Sequence, residues 1–470
     1  MAAESSSKRL RSEEENDGID RISTLPNSLL CHILSFIPTK TCVHMSLISR
    51  KWRNFWKNLQ VFDFSDKSSH VLNLYSEDNE EQFMPFSVFV NTVLALRRSL
   101  IVRKFSLNCY HSQHDTFSNY SIDTWISIAI GPHLEEFHLT LLTAGSYNLP
   151  PTLLSCPNLI SLSLNGLNGS IMLQLRDNSE ICLPSLKLLK LLEVYDLDLN
   201  SVNILLSGCP ILENLELSFI PESLAKLRVS SFSLKRLKIE VENLIGAWLE
   251  IDAPGLKYLS LTNITFRDAA AVGNLHNVEE AYLDVFPTPE NESVEPLLNL
   301  LRALSGIKRL ELHGSTTKWL CSAPVLDFPE FCHLLYLELW LLSFNSSFLI
   351  NMLHKCPVLQ TLNTFNHVLR TAYPNPYHVP KRIANRVTMY DSSSSCGWET
   401  KPKNVPKCLA FHLTLVHFQR WDLPCAKLNF SELHHLKRLK KLVMMLKIMR
   451  WRPMGIMLKM SLRMIFRLGL

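Results

Sequence analysis

A short apolar pattern that recurs about ten times constrains the fold of this chain more than any other sequence feature. Each copy places leucines or similar residues in the order L-x-x-L-x-L, and several copies begin with Cys-Pro. The copies begin at Leu134, Cys156, Leu183, Cys209, Leu234, Ala253, Leu275, Ile307, Leu334 and Cys356. Equivalent leucines are about 22 to 29 residues apart. One such unit cannot bury its own apolar side, so the pattern predicts units that stack on one another.

The L-x-L end of each copy is typical of a short strand whose leucines point into one core. The intervening x positions, often Glu, Lys or Ser, are expected on the opposite, concave face. Apolar runs at 202–206 and 348–353 fit helical returns. The sequence therefore predicts an α/β solenoid of leucine-rich repeats, with parallel strands and helical returns. The longer intervals at 313–330 and 363–400 are expected to form loops.

Composition and charge argue against several classes of function. Hydrophobic residues make up 47% of the 470 residues, yet no run of 18 apolar residues occurs, so we expect no membrane segment. The net charge is +5, but residues 434–470 alone carry ten Lys and Arg and no Asp or Glu. The remainder is therefore net acidic, and we expect no nucleic-acid partner. The first residues lack the apolar core of a signal peptide, which predicts the cytoplasm or nucleus.

The twelve cysteines are expected to be free thiols in a reducing compartment. No Cys-x-x-Cys pair occurs, so the sequence predicts no metal site and indicates no cofactor. Cys156, Cys209 and Cys356 each precede a proline and a strand, which favours a structural role inside the repeats.

A separate helical pattern precedes the repeats. Leu29, Leu30, Ile33, Leu34 and Ile37 recur at helical spacing after Pro26, and Pro38 ends that helix. Thr39 is expected to cap a second helix that carries Val43 and Leu47. Ser49 is expected to cap a third helix that carries Trp52, Phe55 and Trp56. This unit is short but strongly apolar, which indicates that part of its apolar surface is covered by a partner.

These residues carry a family resemblance. The series Asp20–Ser23, Leu25-Pro26, Leu29-Leu30, Ile33–Phe36, Pro38–Lys40 and Ser46–Trp52 resembles a plant F-box, with Thr41 where the family often has an acidic residue. The resemblance implies docking to the Skp-type adaptor of a cullin ubiquitin ligase. The adaptor-binding residues it implies are Leu25, Pro26, Leu29, Leu30, Ile33, Leu34, Val43, Leu47 and Trp52. The alternative is that these residues only form the core of a small helical domain.

The C-terminal part resembles the start of the FBD domain that often closes plant F-box repeat proteins. The residues concerned are Trp398, Pro402, Val405–Leu409 and His412–Phe418. After about Asn429 the sequence departs from that family and becomes rich in Met and basic residues. This change indicates a divergent or mis-spliced end, and the alternative is a basic amphipathic helix for membrane or calmodulin-like partners.

The expected organisation therefore has six parts. They are a disordered N-terminus (1–18), a three-helix F-box (19–60), the repeat body (61–365), a linker (366–397), a partial FBD-like α/β region (398–432) and the basic tail (433–470).

No phosphate-binding glycine loop, nucleophile elbow or zinc-protease motif occurs, so we expect no enzyme. The resemblance implies a substrate-recognition subunit of an SCF-type ligase, with a protein target on the repeats. A repeat scaffold that never joins a ligase, and a small-molecule co-receptor, remain alternatives.

Overall fold

The computed structural model describes most of the helical unit and the repeats. The described residues are 25–47, 52–66, 83–110, 118–142, 146–173, 181–195, 199–219, 226–241, 248–266, 275–287, 293–323, 327–341, 345–366, 406–421, 441–450 and 458–466. The predicted N-terminus and residues 367–397 of the predicted linker, together with Asp20–Ser23, Ser49, Trp398 and Pro402, lie outside these ranges.

Helices and strands alternate in parts of the described chain, whereas the described residues between 214 and 287 form strands without an intervening helix. The α-helices are α1 Asn27–Leu34, α2 Thr39–Met45, α3 Phe83–Leu96, α4 Ser118–Ala129, α5 Leu199–Ser207, α6 Glu295–Ala303, α7 Gly314–Ser322, α8 Ser346–His354 and α9 Lys407–Phe411. Among the described residues, three 3₁₀ helices span Trp52–Asn58, Pro151–Ser155 and Leu167–Gly169. The strands are β1 Val61–Ser65, β2 Lys104–Cys109, β3 Glu136–Leu141, β4 Tyr147–Asn148, β5 Ser161–Gly166, β6 Ile171–Met172, β7 Leu188–Leu192, β8 Val194–Tyr195, β9 Asn214–Phe219, β10 Lys226–Ser230, β11 Arg236–Val241, β12 Trp248–Asp252, β13 Tyr258–Phe266, β14 Glu280–Pro287, β15 Arg309–Leu312, β16 Tyr336–Leu341, β17 Thr361–Asn366, β18 Leu415–Trp421, β19 Lys441–Arg450 and β20 Leu458–Phe466.

One long sheet organises the described residues. Its order is β1-β2-β3-β5-β7-β9-β11-β13-β14-β15-β16-β17-β18-β19-β20, and two smaller sheets, β4-β6-β8 and β10-β12, occupy the intervening segments. Neighbouring strands are parallel except for the antiparallel β19–β20 pair. This arrangement confirms the predicted solenoid of leucine-rich repeats.

The repeat leucines form the core because alternate residues of a strand face opposite sides of the sheet. Leu162 and Leu164 of β5, for example, are completely buried, and the equivalent residues of the other predicted copies are buried as well. The first two strands lie outside the ten predicted copies; β1 buries Phe62 and Phe64, and β2 buries Phe105 and Leu107. Phe105 of β2 stacks on Phe137 of β3, with ring centroids 6.0 Å apart.

The helical unit lies against the edge of the sheet at β1. Thr39 is the first residue of α2 rather than its predicted cap, and Pro38 holds the cap position. The Thr39 hydroxyl accepts a hydrogen bond from the backbone N–H of Asp63 at 2.8 Å. This contact satisfies a donor at the edge of the sheet, where an uncovered strand would otherwise invite pairing with another chain.

One prediction about a connecting segment and one alternative for the C-terminal tail need correction. Residues 314–322, within an expected loop, form α7, because Thr316 and Thr317 are buried and bond to neighbouring strands. In the basic tail, 441–450 and 458–466 form strands rather than an amphipathic helix. The β18 and β19 strands extend the repeat sheet in parallel register, since their backbone groups pair with the strand before them.

Candidate functional site

The first helix divides its apolar residues between two adjacent faces, one buried and one exposed. Leu30 and Leu34 are buried, with exposed fractions of 0% and 1%. Leu29 and Ile33 are 48% and 41% exposed. Because residues three or four apart share a helix face, Leu29 and Ile33 form one solvent-facing stripe and Leu30 and Leu34 form the inner one.

The inner stripe of α1 is part of a continuous core. Leu30, Leu34 and Trp52 belong to the same buried cluster as the first repeat strands, and Trp52 contacts Phe55 edge-on at 6.0 Å. In the described structure these three predicted adaptor-binding residues therefore point inward. The sequence could not separate them from Leu29 and Ile33, because the apolar character of these neighbours is the same.

The other predicted adaptor-binding residues lie nearer the surface. Pro26 and Leu47 are exposed, whereas Leu25 and Val43 are half-buried against the core. Adaptor binding by any of the nine residues remains a prediction.

Phe36 belongs with the exposed residues although the sequence-based set omits it. Its side chain is 75% exposed and contacts the ring of His32 edge-on at 4.9 Å. The spacing of Leu29, Ile33 and Phe36 could have revealed it, because it continues the outer face of α1 into the following turn. We call Leu29, Ile33 and Phe36, together with the exposed Leu47 that follows α2, the apolar stripe.

The second candidate surface is the open face of the sheet, formed by the outward residues of the strands. Its middle carries an ion-pair ladder: Glu216 of β9 lies 2.9 Å from Lys190 and 2.7 Å from Lys238. Burial opposes ionisation of Glu216, but the hydrogen bonds from Lys238 and Lys190 outweigh it and hold its pKa below the usual value. The charges here therefore largely neutralise one another.

A row of ring contacts runs across the open face further along the chain, from β14 past the end of β15 to β16 and β17. Tyr282, His313, Trp340 and Phe365 follow one another, with centroid distances of 4.2, 4.8 and 4.4 Å. We call these four residues the aromatic column. Stacking of this kind stabilises side chains on a sheet and presents a rigid, half-buried surface.

A buried carboxylate is hydrogen-bonded to one ring of the aromatic column and to a neighbouring tyrosine. Glu338 accepts hydrogen bonds from the Trp340 indole N–H at 2.8 Å and from the Tyr336 hydroxyl. Tyr336 in turn accepts a bond from the Asn363 side-chain amide at 2.6 Å. Burial and the bond to Glu338 raise the pKa of Tyr336 to about 12, so this hydroxyl stays protonated at neutral pH.

The described residues give little support for a small-molecule site or a metal site. A wide, open depression of about 590 Å³ lies before the strands, beside Arg103, Glu135 and Lys187. Ligand sites are usually more enclosed and more apolar. Within the described ranges no three His, Cys, Asp or Glu side chains gather as a metal site would require. None of the described helices has the length and apolarity to cross a membrane.

The cysteines of the Cys-Pro pairs are buried in the repeats. The Cys209 thiol contacts the Leu205 carbonyl at 3.3 Å, and burial raises its pKa to about 12. Burial also raises the pKa of the Cys156 and Cys356 thiols. The neutral thiol is therefore the stable form, as expected of a structural cysteine.

We expect iodoacetamide at pH 8 to modify Cys182 and Cys332 of the native chain and to leave Cys209 unmodified. The first two are exposed, whereas Cys209 is buried and fewer than about one thiol in a thousand is ionised at a pKa near 12. Mass spectrometry of tryptic peptides measures the labelling, and denatured protein is the control in which all three react. Native labelling of Cys209 as fast as that of Cys182 would contradict its burial.

Comparison with known proteins shows that a single family contains both the helical unit and the repeats. An F-box domain model matches residues 22–64. The leucine-rich-repeat domain model described as At1g61320/AtMIF1, LRR domain, matches residues 93–373, which is more than half of the chain. The chain belongs to the F-box/LRR-repeat family. Its helical unit is thus an F-box domain, and its solenoid is a leucine-rich-repeat domain of this type.

Three relatives of this F-box/LRR protein from Arabidopsis thaliana show how far the similarity extends. The F-box/LRR-repeat protein At1g06630 is 31% identical over 296 residues, which cover 62% of this chain and 70% of the relative. The F-box/FBD/LRR-repeat protein At4g00160 is 30% identical over 417 residues, covering 86% and 81%. The FBD-associated F-box protein At1g66310 is 29% identical over 369 residues, covering 76% and 79%. The relatives thus include proteins that carry the FBD region predicted from the C-terminal motif.

Proposed function

We propose that this F-box/LRR protein is the substrate-recognition subunit of an SCF-type ubiquitin ligase. The observation that carries the proposal is an F-box with an exposed apolar stripe, joined through a common core to a repeat domain with an open sheet face. F-box domains generally bind Skp1-type adaptors, and the adaptor links them to a cullin. The protein itself performs no catalysis in this scheme, because ubiquitin is transferred by other subunits.

The apolar stripe supplies the contact with the adaptor. Phe36 and Leu47 are 75% and 84% exposed, although both side chains are strongly apolar. Covering them with a partner removes apolar surface from water, at roughly 25 cal/mol per Å². A few central side chains of this kind dominate binding energy in most interfaces. Leu30, Leu34 and Trp52 support the stripe from below.

The shared core fixes the direction of the target relative to the adaptor. The F-box core continues without a break into β1 and β2, and Thr39 bonds directly to β1. A target held on the repeats is therefore presented at a fixed position relative to the bound adaptor.

The same proposal includes the cytoplasm or nucleus as the cellular location. The ten cysteines within the described residues are free thiols, the state that the cytoplasm or nucleus maintains. The six-part division, with the F-box at 19–60 and repeats at 61–365, remains a prediction.

Adaptor binding by the full chain tests the proposal. We expect the wild type to bind a purified Skp-type adaptor in a titration, and the double variant Ile33→Asp/Phe36→Asp to bind at least about a hundredfold more weakly. Both residues are exposed, so charge is placed on the contact surface without opening the core. Met84→Asp is the matched control, because Met84 is 60% exposed on α3, away from the stripe.

Each outcome of this titration has a clear meaning. Loss of binding in the double variant alone supports the ligase role. A folded wild type that does not bind the adaptor would instead favour a repeat scaffold with a vestigial F-box.

A further inference from the structure

The open face changes in charge from its middle towards its C-terminal part. Across β7, β9 and β11 the outward positions carry Lys190, Glu216, Arg236, Lys238 and Glu240, so acids and bases are mixed. Across β13 to β17 the outward positions carry four carboxylates and one guanidinium. These are Glu280, Asp284, Glu311, Glu338 and Arg309. The part of the face that holds the aromatic column is therefore acidic.

The acidic character acts on the column itself. Burial raises the pKa of Tyr282, and the negative charges of Asp284, Glu311 and Glu240 raise it further. Arg309 offsets only part of this charge, because it is already paired with Glu311 at 2.7 Å.

Two arginines of this chain already place their guanidinium groups over tyrosine rings on the open face. Arg309 lies over the ring of Tyr336 at 3.7 Å, and Arg236 lies over Tyr258 at 4.0 Å. Arginine favours such positions because its planar group stacks on rings while its N–H groups bond to carboxylates in the same plane. This part of the sheet thus already contains the rings and carboxylates that bind a guanidinium group.

A buried acceptor in the same place has no partner among the described residues. Asn363 is only 9% exposed, and its side-chain N–H groups donate to Tyr336 and Glu338. Its Oδ1 is therefore turned away from Glu338, and it accepts no hydrogen bond within the described part of the chain. A buried acceptor of this kind is costly unless a donor reaches it.

We propose that the outward face of β13–β17 is the target-docking surface, and that it binds a basic, arginine-bearing segment of a protein. Incoming N–H donors bond to the carboxylates of this face, and one of them reaches Asn363 Oδ1 once the side chains that cover this buried atom move aside. The arginine stem lies along the aromatic column, as the stems of long basic side chains do on apolar surfaces. This inference rests on the proposed role in target recruitment and names the chemical class of the target.

Peptide binding by the full chain tests the inference. The probe is a fluorescein-labelled dodecapeptide of four Arg-Gly-Ser repeats, and fluorescence anisotropy measures its affinity. A peptide of four Glu-Gly-Ser repeats is the control for charge. We expect saturable binding of the basic peptide, weakened by added salt, and no binding of the acidic one.

Two isosteric variants locate the site. E338Q and D284N each remove one carboxylate charge and keep the side-chain shape, and each is expected to weaken binding of the basic peptide about tenfold or more. E216Q is the matched control, because Glu216 lies in the same outward row as Glu338 but on β9, outside the acidic part. We expect E216Q to bind within about twofold of the wild type. D284N keeps the test decisive if E338Q disturbs the Tyr336 and Trp340 contacts.

The outcomes separate this inference from the ligase role. The adaptor titration is repeated on E338Q and D284N, where adaptor affinity should stay unchanged. Loss of adaptor binding in the wild type with retained peptide binding would sink the ligase role and leave the docking surface standing. The inference is overturned if the basic peptide shows no saturable binding, if the acidic peptide binds equally, or if both charge variants bind like the wild type.

Discussion

Replacing Trp125 by alanine is expected to lower the free energy of unfolding of the first repeats by about 3–5 kcal/mol. Trp125 is completely buried on α4 and packs against Phe83 and Phe86 of α3, with centroids 6.2 and 5.9 Å away. Its indole N–H also donates to the Asn91 side chain at 2.7 Å. Truncation removes a large apolar side chain and leaves a cavity that these rigid neighbours cannot close.

The loss is best measured locally. Stability in a repeat array is close to a sum of terms from each unit and its neighbours, so one global melting temperature would hide the effect. Hydrogen exchange of backbone amides in α3, α4, β2 and β3 reports it directly.

Two variants of α4 serve as controls for this measurement. Trp125→Phe keeps most of the packing and gives up one hydrogen bond to Asn91, which is exposed and can bond to water, so its effect should be far smaller. Tyr120→Ala, at a position 78% exposed on the same helix, should change protection by no more than about 0.5 kcal/mol. If Trp125→Ala and Tyr120→Ala gave equal protection, Trp125 would not be the bridge between α3 and α4.

Replacing Leu34 by alanine is expected to destabilise the F-box by about 2–5 kcal/mol, whereas Ile33→Ala should cost at most about 0.5 kcal/mol. Leu34 is 1% exposed in the core shared with Trp52 and Trp56, while the adjacent Ile33 is 41% exposed. The two residues thus differ mainly in the direction in which their side chains project from α1. Hydrogen exchange of α1 and α2 amides in urea measures both changes.

We expect the two variants to affect adaptor affinity in the opposite order from their effect on stability. Ile33→Ala removes part of the apolar stripe from a folded F-box, so its affinity should fall while protection of α1 is kept. Leu34→Ala should lose affinity only in proportion to unfolding of the F-box. Equal destabilisation by the two variants would show that α1 does not bury Leu34 in preference to Ile33.

Much of the architecture follows from the sequence alone. The L-x-L pattern predicted ten strands, and all ten form, because period-2 leucines can be buried only on one side of a strand. The family resemblance of both the F-box and the repeats was likewise visible in local motifs of fixed spacing. β1 was missed because Phe62 and Phe64 take the place of leucine, and β2, which carries Phe105 and Leu107, lies outside the ten predicted copies. α7 was missed because Leu320 is the one leucine among its buried residues, beside two threonines, a glycine and a tryptophan.

Tertiary structure alone decided which side chains meet. Tyr282, His313, Trp340 and Phe365 are separated by unequal stretches of sequence, and only the strand register stacks them. The same holds for α1, where Leu29 and Leu30 are identical residues and contact with Trp52, Phe55 and β1 determines which one is buried. A sequence pattern specifies which residues must leave water, because that depends on the residue alone. Which partner covers them depends on distances between segments remote in sequence, and these are fixed only when the sheet is assembled.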